Sequence, residues 1–210
     1  MDNGNRDHNI KAIIKMEERI GRCSRCPSLI KCTGKPSLGK GDLEPQVLLV
    51  FECESSFTCD TNWIIELRNL IKQDFGAERV YHSFMVRCQP KACIRRENNK
   101  YVLTRKLVDR DETCILTNHT CDGIPIKPSS EEIINCLTYL LEEMKVLKSN
   151  YVLLFGQRVS DYVLKSCGVF KLVQIGQAYK CEDMVFLTTV SEKSFNRGEL
   201  QKLGTIIERL

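Results

Sequence analysis

Twelve cysteines and one knot of acids carry most of the chemistry available to this 210-residue chain. In "RCSRCPSLIKC", Cys23 and Cys26 form a C-x-x-C pair, a spacing that lets one turn of backbone present two thiolates to one metal centre. Zinc, an iron-sulfur cluster or a redox dithiol can all use such a pair. Cys88, just past an apolar run, and Cys136, in the first turns of a capped helix, are candidates to complete a four-thiolate set. Spacing alone does not select them. Cys32 competes with Cys26, Cys93, Cys114 and Cys121 could form a separate site, and Cys167 and Cys181 read as small hydrophobes.

The acids lie in "PQVLLVFECESSFTCD", where a run from Val47 to Phe51 empties into Glu52, Cys53, Glu54 and, further on, Cys59 and Asp60. Carboxylates at the exit of a buried strand can stabilise a cation or activate water. If the strand continued, Glu52 and Glu54 would point the same way, and their like charges would raise one pKa. A solvated acidic loop is the competing reading. Cys53 fits a small core residue, and its position alone supports no nucleophilic role.

Bulk properties narrow the setting. With 42% hydrophobic residues, the chain can build a substantial core as one domain. It contains no run of 18 apolar residues, and "MDNGNRDHNIK" has no apolar signal core, so a cytoplasmic protein without a membrane partner is expected. Cytosolic thiols stay reduced, which favours ligands over disulfides. The net charge of +4 is unevenly spread: 87–110 holds eight basic residues against Glu97 and Asp109, a surplus of six. A concentrated positive segment suits phosphate binding, and a solvated basic face is the plainer alternative.

The elements that must position these residues are legible from periodicity. Ile10, Ile13, Ile14 and Met16 predict an amphipathic helix over 9–20, delivering the chain to Cys23. After "GKPSLGKGDLEP" comes a strand, then Trp63, Ile64, Leu67, Leu70 and Ile71 at helical spacing. "RVYHSFMV" predicts a second strand. Residues 91–128 break the rhythm and read as a hairpin-like basic insertion, with Arg95, Arg96, Arg105 and Lys106 as DNA-binding candidates. Ser129 or Ser130 then caps a helix with Glu131 and Glu132 in its first turn, followed by "NYVLLFG", a helix over 158–165, "MVFLTTV" and a closing helix. This alternation predicts an α/β fold, three layers around a central, mainly parallel four-stranded sheet. In such sheets ligands bind at the carboxyl ends of the strands, where Glu52 would sit.

The order of "RCSRCPSL", "SLGKGDLEPQVLLVFE", "ERVYHSFMVRCQP", "EEIINCLTYLLEEM" and "NYVLLFGQRVSDYVL" resembles the iron-sulfur uracil-DNA glycosylases over 21–192, with the insertion unmatched. In that family a C-x-x-C pair precedes a Gly-x-Gly turn and the first strand, matched by Cys23, Cys26, Gly39 and Gly41. A third cysteine follows a Val-Tyr strand, as Cys88 follows Val80 and Tyr81, and a fourth lies in a Glu-Ile-x-x-Cys helix, as Cys136 follows Glu132 and Ile133. The resemblance thus implies a four-iron four-sulfur cluster (4Fe-4S) on Cys23, Cys26, Cys88 and Cys136. There it would brace the fold and its DNA-facing loops.

The pocket motifs of that family are less well matched. Its Gly-Glu-Ala-Pro-Gly segment corresponds to Phe51–Ser55, retaining Glu52, and Asp60 is a loose counterpart of its following acidic pair. The aromatic loop that stacks on uracil is missing, because Thr61 and Asn62 lead into the helix. Phe84 stands where an Asn should read the uracil edge, and "TTVSEKSF" replaces a His-Pro-Ser motif in a chain whose histidines are His8, His82 and His119. Phe84 and Cys53 become candidate base-binding residues, with Glu52, Glu54 and Asp60 as candidate catalytic acids. A monomeric glycosylase acting on a non-standard base is the expectation, and an inactive DNA-binding or partner-binding module is the alternative.

Overall fold

The computed structural model describes residues 3–26, 35–97, 100–107, 118 and 124–208, and for 3–4 and 92–107 only the backbone. In chain order the elements are α1 (Asn3–Gly21), β1 (Lys40–Gly41), β2 (Val47–Phe51), α2 (Ser56–Cys59), α3 (Thr61–Phe75), β3 (Val80–Phe84), β4 (Lys91–Glu97) and β5 (Lys100–Leu107). There follow β6 (Ile124–Pro125), α4 (Ser130–Leu147), β7 (Tyr151–Phe155), α5 (Gln157–Ser166), β8 (Ala178–Cys181), β9 (Met184–Thr189) and α6 (Arg197–Ile207).

The main sheet is six-stranded and mixed, in the order β1-β3-β2-β7-β9-β8. Its inner four strands are parallel, and β1 and β8 add antiparallel edges to β3 and β9. The expectation of four strands therefore falls short by two. Both additions are short segments, Lys40–Gly41 and Ala178–Cys181, in turn-rich sequence where no alternating pattern marks a strand.

Strand alternation splits the core into two layers. Leu48 and Val50 of β2 with Val152 and Leu154 of β7 pack against α1, α4 and α5. Val47, Leu49 and Phe51 with Leu153 and Phe155 pack against α3 and α6. Chain order β2-β3 runs outward one way and β7-β9 the other, so the sheet reverses direction between β2 and β7, where α/β folds bind ligands.

Caps fix the helices that flank this edge. Ser129 and Glu132 form a capping box on α4, satisfying two otherwise orphaned backbone donors. Asp60 caps α3, accepting from the Asn62 and Trp63 amides at 2.9 and 3.4 Å. Gly41 has φ +146, and a Cβ there would meet the Val80 carbonyl at 2.4 Å, so the close β1–β3 approach requires glycine.

The 91–128 segment contains the antiparallel hairpin β4–β5 and a β4–β6 pairing, a small sheet of its own. Arg95 pairs with Val102 and Arg96 with Tyr101, while Arg105 and Lys106 lie where the register shifts opposite Cys93. Cys32, Cys114 and Cys121 lie outside the described residues, as does the side chain of Cys93. Among the described residues no helix is long and apolar enough to cross a membrane.

Candidate functional site

Cys23 and Cys26 leave the C-terminal end of α1, Cys88 follows β3 by four residues, and Cys136 lies in the second turn of α4. These four cysteines line one cavity, together with Arg87 and Tyr139. Hydrogen-bond donors face the sulfurs. The Arg87 amide donates to Cys136 Sγ at 3.2 Å, and Asn135 Nδ2 lies 4.0 Å from Cys26 Sγ. Burial, ahead of every other cause, raises the Cys26 and Cys136 thiols; Cys136 and Cys23 also raise Cys26, and Cys23 raises Cys136. Among the described residues no three His, Cys, Asp or Glu side chains converge closely enough to hold a single metal ion.

Behind the thiols lies a buried polar network. Glu143 of α4 is 1% exposed and accepts hydrogen bonds from Tyr81 at 2.9 Å, from Ser83, and from Arg87 Nη2 at 2.5 Å. Burial first and the Glu143 carboxylate second push the Tyr81 hydroxyl well above the usual phenol range. Gly39 packs against this network, since a Cβ there would lie 2.4 Å from Tyr81 Oη and 2.6 Å from Glu143 Oε1. Arg87 is 2% exposed, yet its Nε and Nη1 have no hydrogen-bond partner among the described residues. A buried guanidinium with two idle donors on the wall of a thiol-lined cavity fits an anionic group there, as a thiolate-ligated cluster is.

The carboxyl edge of the sheet holds the acids, but apart from one another. β2 stops at Phe51, so the same-facing geometry for Glu52 and Glu54 is not formed. Glu52 turns to Arg158 at the start of α5, 2.5 Å away, and Arg158 also donates to the Pro128 carbonyl. Arg158 thereby ties the end of the 91–128 segment to the acidic loop. Glu192, just beyond β9, joins this group, because Glu52, Glu192 and Glu54 all act on the Cys53 thiol. That thiol is pushed up to about 12, by burial above all, and Cys53 packs against the α1–α4–α5 layer. Cys53 is half-buried and lies on the opposite face of the sheet from Phe84. Asp60 is exposed and spent on capping α3.

Glu54 instead lines a second, wider pocket with Lys35, Ser37, Lys40, His82 and Phe84. Burial first and the Glu54 carboxylate second raise the Cys59 thiol. Phe84 is 2% exposed, part of the α3–α6 layer and at the same time a wall of this pocket. Phe57, in α2, packs on Trp63 edge-on at 5.8 Å.

Sequence reading missed His82, Arg158, Glu192 and Glu143. Glu143 had a signal, a charge inside the Leu140–Met144–Leu147 stripe, and so did His82, a polar ring in an otherwise buried strand. Arg158 and Glu192 had none. Burial, followed by the Arg68, Lys40 and Arg87 charges, pulls His82 down to about 4 from 6.5, so folding favours its neutral form. The unfolded chain binds more protons between those values, and stability is expected to fall as the pH drops from 6.5 to about 4. At about 1.4 kcal/mol per unit the loss approaches roughly 3 kcal/mol. Urea unfolding across that pH range measures it; an equally steep loss in His82→Phe assigns the effect to other groups.

No family model matches this chain, and a search of characterised proteins yields no match.

Proposed function

We propose that this chain is an iron-sulfur DNA glycosylase of the uracil-DNA glycosylase type that excises a non-standard base by hydrolysing the N-glycosidic bond. The observation that carries this reading is the shared cavity of Cys23, Cys26, Cys88 and Cys136, four thiols from three separate parts of the chain. A single zinc ion draws four sulfurs to about 2.3 Å from one point. Four cysteines around one cavity meet the ligand count of the four-iron cluster that the resemblance implies. The group's contribution would be structural, fastening α1 and α4 to the end of β3.

The chain's own residues would do the chemistry. Glu52 stands at the sheet reversal, suited to stabilise a cationic sugar or orient water, with Glu192 adding negative potential beside it. The pocket of Glu54, His82 and Phe84 would receive the flipped base, and Lys35 and Lys40 on its wall would meet flanking phosphates. The basic hairpin, with Arg95, Arg96, Arg105 and Lys106, would add further phosphate contacts.

The test is incubation with duplexes bearing uracil, cytosine derivatives and other altered bases, followed by alkaline cleavage of abasic sites. At least one substrate is expected to break, with Glu52→Gln slower by about 100-fold or more. Absence of strand breaks on every substrate, or equal rates for the variant, removes the enzyme reading.

A second reading, a DNA-binding module without catalysis, draws on the Glu52–Arg158 ion pair, since a guanidinium at 2.5 Å already offsets the charge Glu52 would offer a cation. It expects salt-dependent binding that survives Glu52→Gln and weakens when Arg95, Arg96, Arg105 and Lys106 are neutralised.

A further inference from the structure

His82 and Phe84 stand two residues apart on β3 and so face the same layer, their rings edge-on at 5.8 Å. Phe51 closes on both, at 6.5 and 6.3 Å. On the ring's other side Arg68 Nη2 lies 3.0 Å from His82 Nδ1 and also donates to the Lys40 carbonyl at 2.8 Å. A guanidinium has only donors, so Nδ1 must accept. The neutral ring therefore carries its proton on Nε2. Among the described residues no acceptor bonds that N–H, and the ring lines the pocket.

Glu54 enters the same pocket from the loop between β2 and α2. Its carboxylate is an acceptor with two oxygens. The pocket thus offers one fixed donor, one strong acceptor and the Phe84 ring.

Resting on the reading of this pocket as the base site, we propose that it selects a base bearing an exocyclic amino group over uracil. The amino group donates to Glu54, the adjacent ring nitrogen accepts from His82 Nε2, and the base lies along Phe84. Cytosine and adenine, and derivatives that keep an amino hydrogen, present that donor beside that acceptor. Uracil can offer its N3–H to Glu54 and one carbonyl oxygen to His82, but its other carbonyl then turns its lone pairs toward the second oxygen of Glu54. One well-placed pair of this kind discriminates by about 10-fold to 100-fold.

Binding rather than cleavage tests this. Labelled duplexes each carry one 2′-fluoro nucleotide, which resists glycosidic cleavage, with cytosine, adenine or uracil as its base opposite an abasic site. Fluorescence anisotropy is expected to give at least about 10-fold tighter binding for the cytosine or the adenine probe than for uracil. Glu54→Gln should shrink that ratio to about 3-fold or less, and His82→Phe should weaken the preferred probe while leaving the uracil probe nearly unchanged. Glu54 is half-buried in a loop, so its variant keeps the test valid if His82→Phe unfolds. Uracil bound as tightly as the others, or a ratio unchanged in Glu54→Gln, overturns the proposal. A base preference without excision of any base leaves this proposal standing and defeats the glycosylase reading. Excision with indifferent binding does the reverse, and absence of binding to every probe overturns both.

Discussion

Glu143→Gln is expected to cost about 3–5 kcal/mol of folding stability, because it removes the charge that compensates a buried guanidinium. The substitution keeps the shape of the side chain, so cavity formation adds little. Arg87 is 2% exposed, and its Nε and Nη1 already lack partners among the described residues; without Glu143 it also loses the carboxylate that pairs with its Nη2. Tyr81 and Ser83 would also lose a charged acceptor. The midpoint of urea unfolding should drop while its slope stays constant. Replacing both partners, as Arg87→Met with Glu143→Leu, should cost less than the single change. A single variant within about 1 kcal/mol of the parent means the pair is not stabilising in the way its burial implies.

The second large effect concerns the thiols. Purified without oxygen, the protein is expected to absorb in the visible range and to carry iron and acid-labile sulfide in equal amounts. Cys136→Ala should reduce both to background and lower thermal stability, since metal-site binding energy is folding energy. Cys167→Ala should leave the metal content unchanged, because Cys167 bonds instead with Cys181, whose thiol donates to its carbonyl at 2.8 Å. Zinc in place of iron, or a Cys136→Ala protein with full iron content, defeats the cluster assignment. Chelation of the intact protein should mimic the variant. Burial raises the Cys26 and Cys136 thiols, so reloading should be faster at higher pH, where more thiolate is present.

Much of the scaffold was legible because it is written in local periodicity. The apolar stripe of α4 and its Ser129 cap, the helix of Trp63, Ile64 and Leu67, and the parallel inner strands all follow from patterns a few residues long. The edge strands escaped because two to four residues carry no period. Asp60 illustrates a limit of another kind. An acid near a strand exit and an acid before a helix are the same letter, and only the backbone shows that its oxygen is occupied by the Asn62 and Trp63 amides.

By itself, the sequence determined the α/β alternation, the C-x-x-C pair and the acid-rich exit of β2. The tertiary structure decided which distant residues share a space: Cys88 and Cys136 with Cys23 and Cys26, Arg158 with Glu52, and Glu54 with His82 and Phe84. Helix and strand periods repeat within a few residues and can be read along the chain. Cavities, buried ion pairs and the side of the sheet a loop residue takes depend on how far-separated elements close on one another, which no local spacing encodes.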